Sequence, residues 1–219
     1  MSATPTLRLE RRCWNAGEQV VVGIDEVGRG AWAGPVTVCA VVPPPEHLKG
    51  VRDSKQLLPN ERTRVAARVR EWARAIGIGH ASHEECDALG MTAALRTAGQ
   101  RALAMLADQG YEPDRVILDG NHDYLRLGNR CTLVIKGDAT VLAVAAASCV
   151  AKVTRDAMMR EEAEHFPPYD FESNVGYPAP VHKAALRGYG PSAIHRRSWI
   201  FMEGLCWPGV PPPPGRLFA

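Results

Sequence analysis

The sequence predicts an α/β protein with a mixed five-stranded sheet flanked by helices. Short apolar runs of strand length alternate with longer alanine- and leucine-rich stretches of helical spacing, and glycine and proline residues separate them. At 219 residues the chain is long enough for one domain with a single sizeable core. This order of elements favours one sheet with helices packed on it.

Five apolar runs predict the strands. The first run ends at an acidic pair and is followed by Gly28, Gly30, Gly34 and Pro35, which predict a turn into the second strand. Three consecutive prolines end that second strand. The predicted strands cover residues 20–24, 36–42, 75–81, 115–119 and 131–136.

Three longer stretches predict helices. The first begins at Pro59 and carries Val65, Val69 and Trp72 on one side. The last is almost wholly apolar over residues 141–147, which falls well short of the ~20 residues of a membrane span. No membrane partner is therefore expected. The predicted helices cover residues 59–72, 93–108 and 139–164.

The glycines after the first strand allow a second interpretation. Gly28, Gly30 and Gly34 resemble a dinucleotide-binding fingerprint with one residue too many, and that fingerprint would indicate an oxidoreductase. The fingerprint must open a helix, whose N-terminus holds the pyrophosphate. Here Pro35 and a β-branched run follow, so we expect strand, turn and strand instead.

The net charge and the first residues limit which binding partners and which location the sequence predicts. The net charge of +2 does not by itself indicate a nucleic-acid partner. From residue 174 onward basic residues outnumber acidic ones, which would either supply phosphate contacts or form a solvated face. These residues are Lys183, Arg187, Arg196, Arg197 and Arg216, against Glu203 alone. The first residues lack an apolar core of signal-peptide length, so a cytoplasmic location is predicted.

Cysteine and histidine spacing favours neither zinc nor disulfides. The cysteines lie far apart without a C-x-x-C pair, and we expect them to be small, mostly buried hydrophobic residues. They are Cys13, Cys39, Cys86, Cys131, Cys149 and Cys206. His80 and His83 form an H-x-x-H pattern outside any helical H-E-x-x-H context, which predicts loop histidines.

Carboxylates follow three of the predicted strands. Asp25 and Glu26 end the first run, Asp119 ends the fourth, and Asp138 follows the fifth. Where such strand ends lie side by side, the acids would converge on a patch that needs positive charge, and hard oxygen ligands suit Mg²⁺ or Mn²⁺. Two ions about 3.5–4 Å apart would assist an in-line phosphoryl displacement. Taken singly, Asp119 and Asp138 could equally be turn or helix-capping acids.

Two further acids compete for a place in this set. Asp156 lies 18 residues beyond Asp138, about 27 Å along the predicted helix at ~1.5 Å per residue, so the two cannot share a metal. Asp123 lies close to Asp119 in the following loop and stays open as a candidate.

A series of ordered motifs spans about residue 20 to about residue 199. They are GIDEVGRGAWAGP at 23–35, DSK at 53–55, DG at 119–120, KGD at 136–138, AAASCVAKVTRD at 145–156, GY at 176–177 with His182, and GPSAIHRRS at 190–198. Together they resemble ribonuclease HII, the prokaryotic type 2 ribonuclease H family. The resemblance implies a ribonuclease H-like fold with a C-terminal helical extension from about residue 165. Residues 1–17 would be an N-terminal extension, 18–200 the catalytic domain and 201–219 a proline-rich tail.

The resemblance also implies an activity. The family cleaves RNA in RNA-DNA hybrids and nicks duplex DNA 5′ of embedded ribonucleotides, leaving a 3′-hydroxyl and a 5′-phosphate. The implied cofactors are Mg²⁺ or Mn²⁺, two ions with substrate bound, and the nucleophile is water rather than a side chain. The implied partners are RNA-DNA hybrid and ribonucleotide-containing duplex DNA, bound by a monomer. A catalytically silent nucleic-acid-binding module with the same fold is the alternative.

Roles of individual residues follow from the resemblance. The resemblance implies that the metal ligands are Asp25, Glu26, Asp119 and Asp138. The turn Gly28, Arg29 and Gly30 would face the ribonucleotide 2′-hydroxyl, the group that distinguishes RNA from DNA. Tyr177 would stack on the sugar that follows the ribonucleotide. Phosphate contacts would come from Ser54, Lys55 and Lys152.

Two stretches depart from the family pattern. Ala31 and Trp32 stand where the family often has Pro-Leu, which places a large indole in the substrate turn. Around Tyr177, a frequent Lys-Gly-Tyr-Gly-Thr pattern is replaced by one that begins with Val175 and ends with Ala179. Neither departure involves the four carboxylates.

Overall fold

The computed structural model describes residues 4–202. A mixed five-stranded sheet forms its centre, in the order β3-β2-β1-β4-β5. The β1/β2 and β2/β3 pairs are antiparallel, whereas β1/β4 and β4/β5 are parallel. The strands are β1 (Val21–Val27), β2 (Val36–Val42), β3 (Ala75–Ala81), β4 (Arg115–Asp119) and β5 (Cys131–Val134). The predicted strands are therefore confirmed, with shifts at their ends. β1 continues beyond its predicted end at residue 24, so Asp25 and Glu26 lie inside the strand, because the pairing with β2 extends to Val27.

The helices lie on both faces of the sheet. They are α1 (Arg8–Asn15), α2 (Pro59–Trp72), α3 (His83–Leu89), α4 (Met91–Asp108), α5 (Gly137–Thr140), α6 (Leu142–Ala163), α7 (Phe171–Asn174) and α8 (Pro180–Tyr189). Helices α1 and α3 are two elements that the sequence analysis did not predict. Within residues 4–202, none of the helices combines the length and hydropathy that a transmembrane segment needs.

The hairpin of β1 and β2 excludes the dinucleotide fingerprint. β1 pairs with β2 from Gly23 with Val41 to Val27 with Thr37, and no helix begins at the intervening glycines. A pyrophosphate would have no helix N-terminus to bind at this turn. The strand-turn-strand prediction is confirmed, and the oxidoreductase alternative fails.

One face of the sheet is covered by α4. Gly77 and Gly79 of β3 let the helix backbone approach closely, because a Cβ on either glycine would lie 2.0 Å from a carbonyl oxygen of α4. Val22 and Ile24 of β1 point to this face and join the same hydrophobic cluster as Leu106. β1 is thereby buried from this side.

The other face packs on α6 and α2, and here one helix prediction is wrong. The expected helix over residues 139–164 is two helices, with Val141 extended between them at φ −108° and ψ 121°. Thr6 causes the interruption, because its amide donates to the Thr140 carbonyl and its carbonyl accepts from the Leu142 amide. These tertiary hydrogen bonds replace helical ones.

The segment before β1 packs on the start of α6. Glu10 of α1 is fully buried, and its Oε1 accepts a hydrogen bond of 2.8 Å from the Ala143 amide. Val141 offers no side-chain cap of its own, so Glu10 satisfies one of the free amides at this helix N-terminus. The predicted boundary of an N-terminal extension at residue 17 stays a prediction.

The C-terminal helical region surrounds a small aromatic core. Tyr169 and Phe171 stack at 5.4 Å between ring centroids, and the buried rings of His182 and His195 pack against them. This region confirms the predicted helical extension. The predicted tail lies outside the described residues from position 203 onward.

Two histidine predictions are wrong in their placement. His80 lies within β3 and its Nδ1 is 2.8 Å from Thr37 Oγ1, while His83 is the first residue of α3. The H-x-x-H pattern spans the end of a strand and a Ser82 N-cap rather than a loop. The cysteine prediction is confirmed for the described residues, where all are free and all except the half-buried Cys131 are buried.

Candidate active site

The predicted site residues meet at one end of β1. All of them except Asp138 line a single cleft of about 430 Å³, together with Val27 and Ser148. β4 pairs with β1 only as far as Ile24, so the sheet is open beside the residues that follow. This opening lets side chains from both faces of β1 reach one cleft.

Asp25 and Glu26 enter the cleft from opposite faces of the strand. Asp25 lies on the α6 side, where Ser148 is hydrogen-bonded to it, and its Oδ1 also accepts from the Glu26 amide at 2.8 Å. Glu26 interacts with Arg29, whose Nη1 lies 3.8 Å from Glu26 Oε1. Glu26 Oε2 is buried without a hydrogen-bond partner. An orphaned buried carboxylate oxygen of this kind is suited to a cation.

The other two acids come from separate elements. Asp119 is the last residue of β4, as predicted, and its Oδ1 accepts a hydrogen bond of 2.7 Å from the Gly137 amide. Asp138 lies in the first turn of α5 rather than at the end of β5. Lys55 Nζ lies 3.8 Å from Asp138 Oδ2 and links this acid to the edge of the cleft.

Burial and mutual repulsion raise the pKa values of Asp25, Glu26 and Asp138. Desolvation, followed by the neighbouring Glu26 charge, raises the pKa of Asp25 well above its usual range. Desolvation raises the pKa of Glu26 to about 7, with Asp119 adding to the effect and Arg29 opposing it. The pKa of Asp138 is raised by burial and by Asp53 and Asp119. Each carboxylate would be stabilised by a bound cation.

The acids fit a divalent metal by their chemistry. Among the described side chains, no group of three or more His, Cys, Asp or Glu residues is placed as a ready-made metal site. The four carboxylates nevertheless form a chain of mutual electrostatic contacts, from Asp25 and Glu26 through Asp119 to Asp138. Their oxygens are the hard donors that Mg²⁺ and Mn²⁺ prefer.

Gly28 and Gly30 of the turn between β1 and β2, residues 28–35, differ in the space around them. Gly28 has φ +88°, and a Cβ there would lie 2.2 Å from Arg155 Nε and 2.7 Å from the Pro35 carbonyl oxygen. At Gly30 the nearest atom to such a Cβ is Tyr177 Cε1 at 4.0 Å. Gly28 is therefore required by the fold, whereas Gly30 leaves open space on the cleft side.

Tyr177 lines the cleft beside the turn. Its hydroxyl accepts a hydrogen bond of 3.2 Å from the Gly28 amide, which joins the tyrosine to the turn. Lys152 Nζ lies 5.3 Å from the centre of the ring and also pairs with Asp156 Oδ1 at 2.8 Å. The ring is held between a cation and the turn.

The other predicted contact residues differ in how far they take part in internal contacts of the fold. Ser54 is buried, and its Oγ accepts a hydrogen bond of 2.9 Å from Ser148 Oγ. The Lys55 side chain is 81% exposed, although its Nζ pairs with Asp138 at 3.8 Å. Trp32 packs on the C-terminal region, edge to His182 at 5.9 Å, with Lys183 Nζ 5.6 Å from its ring.

Asp123 and Asp156, the two alternative candidates for the metal-binding set, form hydrogen bonds or ion pairs outside the cleft. Asp123 Oδ2 accepts from the Gly128 amide at 2.9 Å, which shapes the loop after β4. Asp156 pairs with Lys152. Neither lines the cleft.

Arg155 is a buried residue behind the turn for which the sequence predicts no role in the site. The side chain is fully buried, and its guanidinium donates to the carbonyls of Ala33, Pro35 and Val175. It thus ties the turn between β1 and β2 to the segment before Tyr177. Val175 adopts a left-handed conformation at φ 45°, unusual for a β-branched residue, so the contacts around it must hold it there.

Arg196 corrects the interpretation of the basic C-terminal run. It is fully buried and donates from Nε and Nη2 to the Gly34 carbonyl and from Nη1 to the Arg29 carbonyl. It is neither a phosphate contact nor part of a solvated face. Sequence offered no sign of this burial beyond the motif in which Arg196 and Arg197 occur.

Comparison with known proteins decides the family. The family model described as Ribonuclease HII matches residues 22–202. The chain belongs to the ribonuclease HII family. A ribonuclease HII from Streptomyces avermitilis is 52% identical over 206 residues, covering 92% of this chain and 86% of the relative. One from Synechococcus sp. (strain JA-3-3Ab) is 46% identical and covers 92% and 90%.

Solved structures agree with this family. The ribonuclease H2 of Pyrococcus horikoshii OT3 superimposes with a TM-score of 0.68 at 26% identity, covering 83% of this chain and 94% of that one. The ribonuclease HII fold explains the mixed sheet and the C-terminal helices. As a member of the ribonuclease HII family, the chain is a ribonuclease and therefore a hydrolase.

Proposed function

We propose that the chain is a divalent-metal-dependent endonuclease that nicks duplex DNA 5′ of embedded ribonucleotides and also cleaves longer RNA-DNA hybrids. The products would carry a 3′-hydroxyl and a 5′-phosphate, and the biological task would be removal of misincorporated ribonucleotides. One observation carries the proposal: three of the four acids and the turn Gly28, Arg29 and Gly30 line the same cleft. Cutting and ribonucleotide recognition can therefore act on one phosphodiester.

The acids would hold the metal. Asp25, Glu26 and Asp119 line the cleft, and Asp138 lies behind Lys55 at its edge. Mg²⁺ or Mn²⁺ bound there, as two ions with substrate, would supply Lewis-acid activation for hydrolysis of the phosphodiester. The raised pKa values of Asp25, Glu26 and Asp138 indicate that cation binding would relieve a built-in repulsion.

The opposite wall of the cleft would bind the nucleic acid. Open space at Gly30 allows a sugar or phosphate to approach the backbone of the turn closely. The Arg29 side chain is 67% exposed and could reach a neighbouring phosphate. Tyr177 offers a ring face for a sugar, and Lys152 and Lys55 add positive charge on either side. Ser54 would act mainly through Ser148.

A cleavage gel tests this function. Three substrates are compared: a DNA duplex that contains one ribonucleotide, a long RNA-DNA hybrid and an all-DNA duplex. Each is incubated with the protein in Mg²⁺, Mn²⁺ or EDTA. We expect metal-dependent nicking of the first two, which Asp25→Asn and Asp138→Asn abolish. Asp123→Asn is the matched control and should keep activity, because Asp123 binds the Gly128 amide outside the cleft.

Two outcomes would overturn the proposal. Equal cutting of the all-DNA duplex would indicate a different nuclease with this fold. Hybrid binding without turnover in any metal would indicate a catalytically silent binding module, which the retained carboxylates do not favour. A monomeric state and a cytoplasmic location stay predictions.

A further inference from the structure

Arg196 is buried directly behind the turn that faces the cleft. Its guanidinium forms hydrogen bonds with two carbonyls of the turn, Gly34 at 3.0–3.1 Å and Arg29 at 3.2 Å. The guanidinium also lies 5.1 Å from the ring of Trp199. No carboxylate forms an ion pair with Arg196 among residues 4–202. The cation's hydrogen-bonding capacity is thus directed to the backbone of the turn.

The Arg29 carbonyl determines where the next amide points. All described peptide bonds are trans, and in a planar trans peptide the C=O of one residue and the N–H of the next point in opposite directions. Arg196 draws the Arg29 carbonyl inward. The Gly30 N–H must therefore point outward, away from the buried arginine.

Outward from Gly30 lies the cleft. Gly30 is exposed and lines it, and its amide has no acceptor among residues 4–202. The open space at its Cα leaves room for an oxygen acceptor of the substrate to approach. A free backbone donor with a fixed direction is suited to a hydroxyl or phosphate oxygen.

We propose that Arg196 is a positioning residue for ribonucleotide recognition, which orients the Gly30 amide toward the substrate by holding the Arg29 carbonyl. This role rests on the proposed function, in which the turn contacts the ribonucleotide. Arg196 itself does not touch substrate. Its effect is on selectivity between a ribonucleotide and a sugar without the 2′-hydroxyl.

The neighbouring arginine acts on a different part of the turn. Arg155 holds the carbonyls of Ala33, Pro35 and Val175, and none of the amides that follow these carbonyls lines the cleft. Arg155 thus fixes the base of the turn and the segment before Tyr177. Arg196 alone of the two holds the peptide bond that carries the Gly30 amide.

The test compares kcat/KM for two duplexes in Mg²⁺, one with a single ribonucleotide and one with a 2′-fluoro nucleotide at the same position. The enzymes are wild type, Arg196→Met and Arg196→Lys. We expect the ribo-to-fluoro ratio to fall about five- to tenfold in Arg196→Met, the change that accompanies loss of one hydrogen bond. Lysine cannot span both carbonyls, so Arg196→Lys should lower the ratio at least about threefold, and it decides the matter should the methionine variant not fold.

Arg115→Met is the control for a general loss of stability. Arg115 pairs with Glu18 at the far end of β4, away from the cleft. Its substitution should lower the melting temperature and leave the ratio unchanged. A ratio unchanged in both Arg196 variants, whatever their melting temperatures, would overturn the positioning role. A wild-type enzyme that treats both duplexes alike would instead overturn the proposed function.

Discussion

His182 and His195 are joined by a hydrogen bond of 2.8 Å between their Nε2 atoms. The partners of the two Nδ1 atoms determine which ring donates this hydrogen bond. His195 Nδ1 must accept, because the Ser192 amide donates to it at 2.9 Å, so His195 Nε2–H donates to His182. His182 Nδ1–H then donates to the Tyr177 carbonyl at 2.8 Å. Both rings must be neutral in the folded protein, since a proton on either would place two N–H groups against each other.

Acidification should therefore unfold the protein through this pair. Burial, together with the neighbouring His182, lowers the pKa of His195 to about 3, and burial lowers the pKa of His182. A histidine that resists protonation in the fold contributes stability above pH 6.5 that is lost as the pH falls toward 3. Between pH 6.5 and 5 the loss should be about 2 kcal/mol from His195. Urea unfolding of wild type and His195→Gln at several pH values checks this, and parallel stability curves would contradict it.

Substitutions at Gly28 and Gly30, in the turn between β1 and β2, should separate effects on folding from effects on activity. Gly28→Ala places a methyl group 2.2 Å from Arg155 Nε at positive φ, so the melting temperature should fall and expression should suffer. Gly30→Ala meets nothing closer than 4.0 Å and should keep the melting temperature while losing at least about tenfold in kcat/KM. Thermal unfolding and cleavage of the single-ribonucleotide duplex measure both. A fully active Gly30→Ala would show that substrate does not approach this backbone.

Glu26 should destabilise the metal-free protein at alkaline pH. Its pKa is raised to about 7 by burial, so the fold favours the protonated acid. The penalty for the charged form is absent below pH 4.5 and fully present above pH 7. In EDTA at pH 9, Glu26→Gln should therefore raise the free energy of unfolding by about 2–4 kcal/mol, with little change at pH 4.5. Added Mn²⁺ should stabilise wild type more than the variant, and the reverse order would argue against Glu26 as a ligand.

Glu10 should stabilise α6 by accepting from its N-terminus. Removal in Glu10→Ala leaves the Ala143 amide buried without an acceptor, which should cost about 1–3 kcal/mol in the free energy of unfolding. Glu10→Gln keeps an acceptor oxygen and should lose less. Chemical denaturation of the two variants at pH 7 compares them. Equal losses would show that packing, not the hydrogen bond, is the contribution of Glu10.

The sequence was sufficient to predict most of the sheet and the meeting of Asp25, Glu26 and Asp119 in one cleft. Strand runs such as residues 75–81 and 115–119 carry their own apolar pattern. Asp25 and Glu26 lie near the end of β1, and Asp119 is the last residue of β4. The pattern of residues alone could therefore bring these carboxylates to one end of the sheet. The local sequence pattern was enough because the strand that carries each acid also positions it.

The features that the sequence did not predict depend on contacts with residues far away in the chain. The break at Val141 requires Thr6, which is 135 residues away, and helix propensity alone predicts a continuous helix there. The burial of Arg155 and Arg196 depends on carbonyls of a turn more than 100 residues earlier. A charged residue is normally predicted to be exposed, so only tertiary structure shows these two inside.

Mapping the cut in a duplex that contains one ribonucleotide tests whether this cleft recognises the ribonucleotide and hydrolyses the bond before it. The cleavage products, formed in Mg²⁺ or Mn²⁺, are resolved to single-nucleotide length and their end groups are determined. We predict one nick immediately 5′ of the ribonucleotide, with a 3′-hydroxyl and a 5′-phosphate, that is absent in EDTA and in Asp25→Asn. Cutting at another position, or a 2′,3′-cyclic phosphate end, would contradict a metal-dependent cleft that recognises the ribonucleotide and hydrolyses the bond before it.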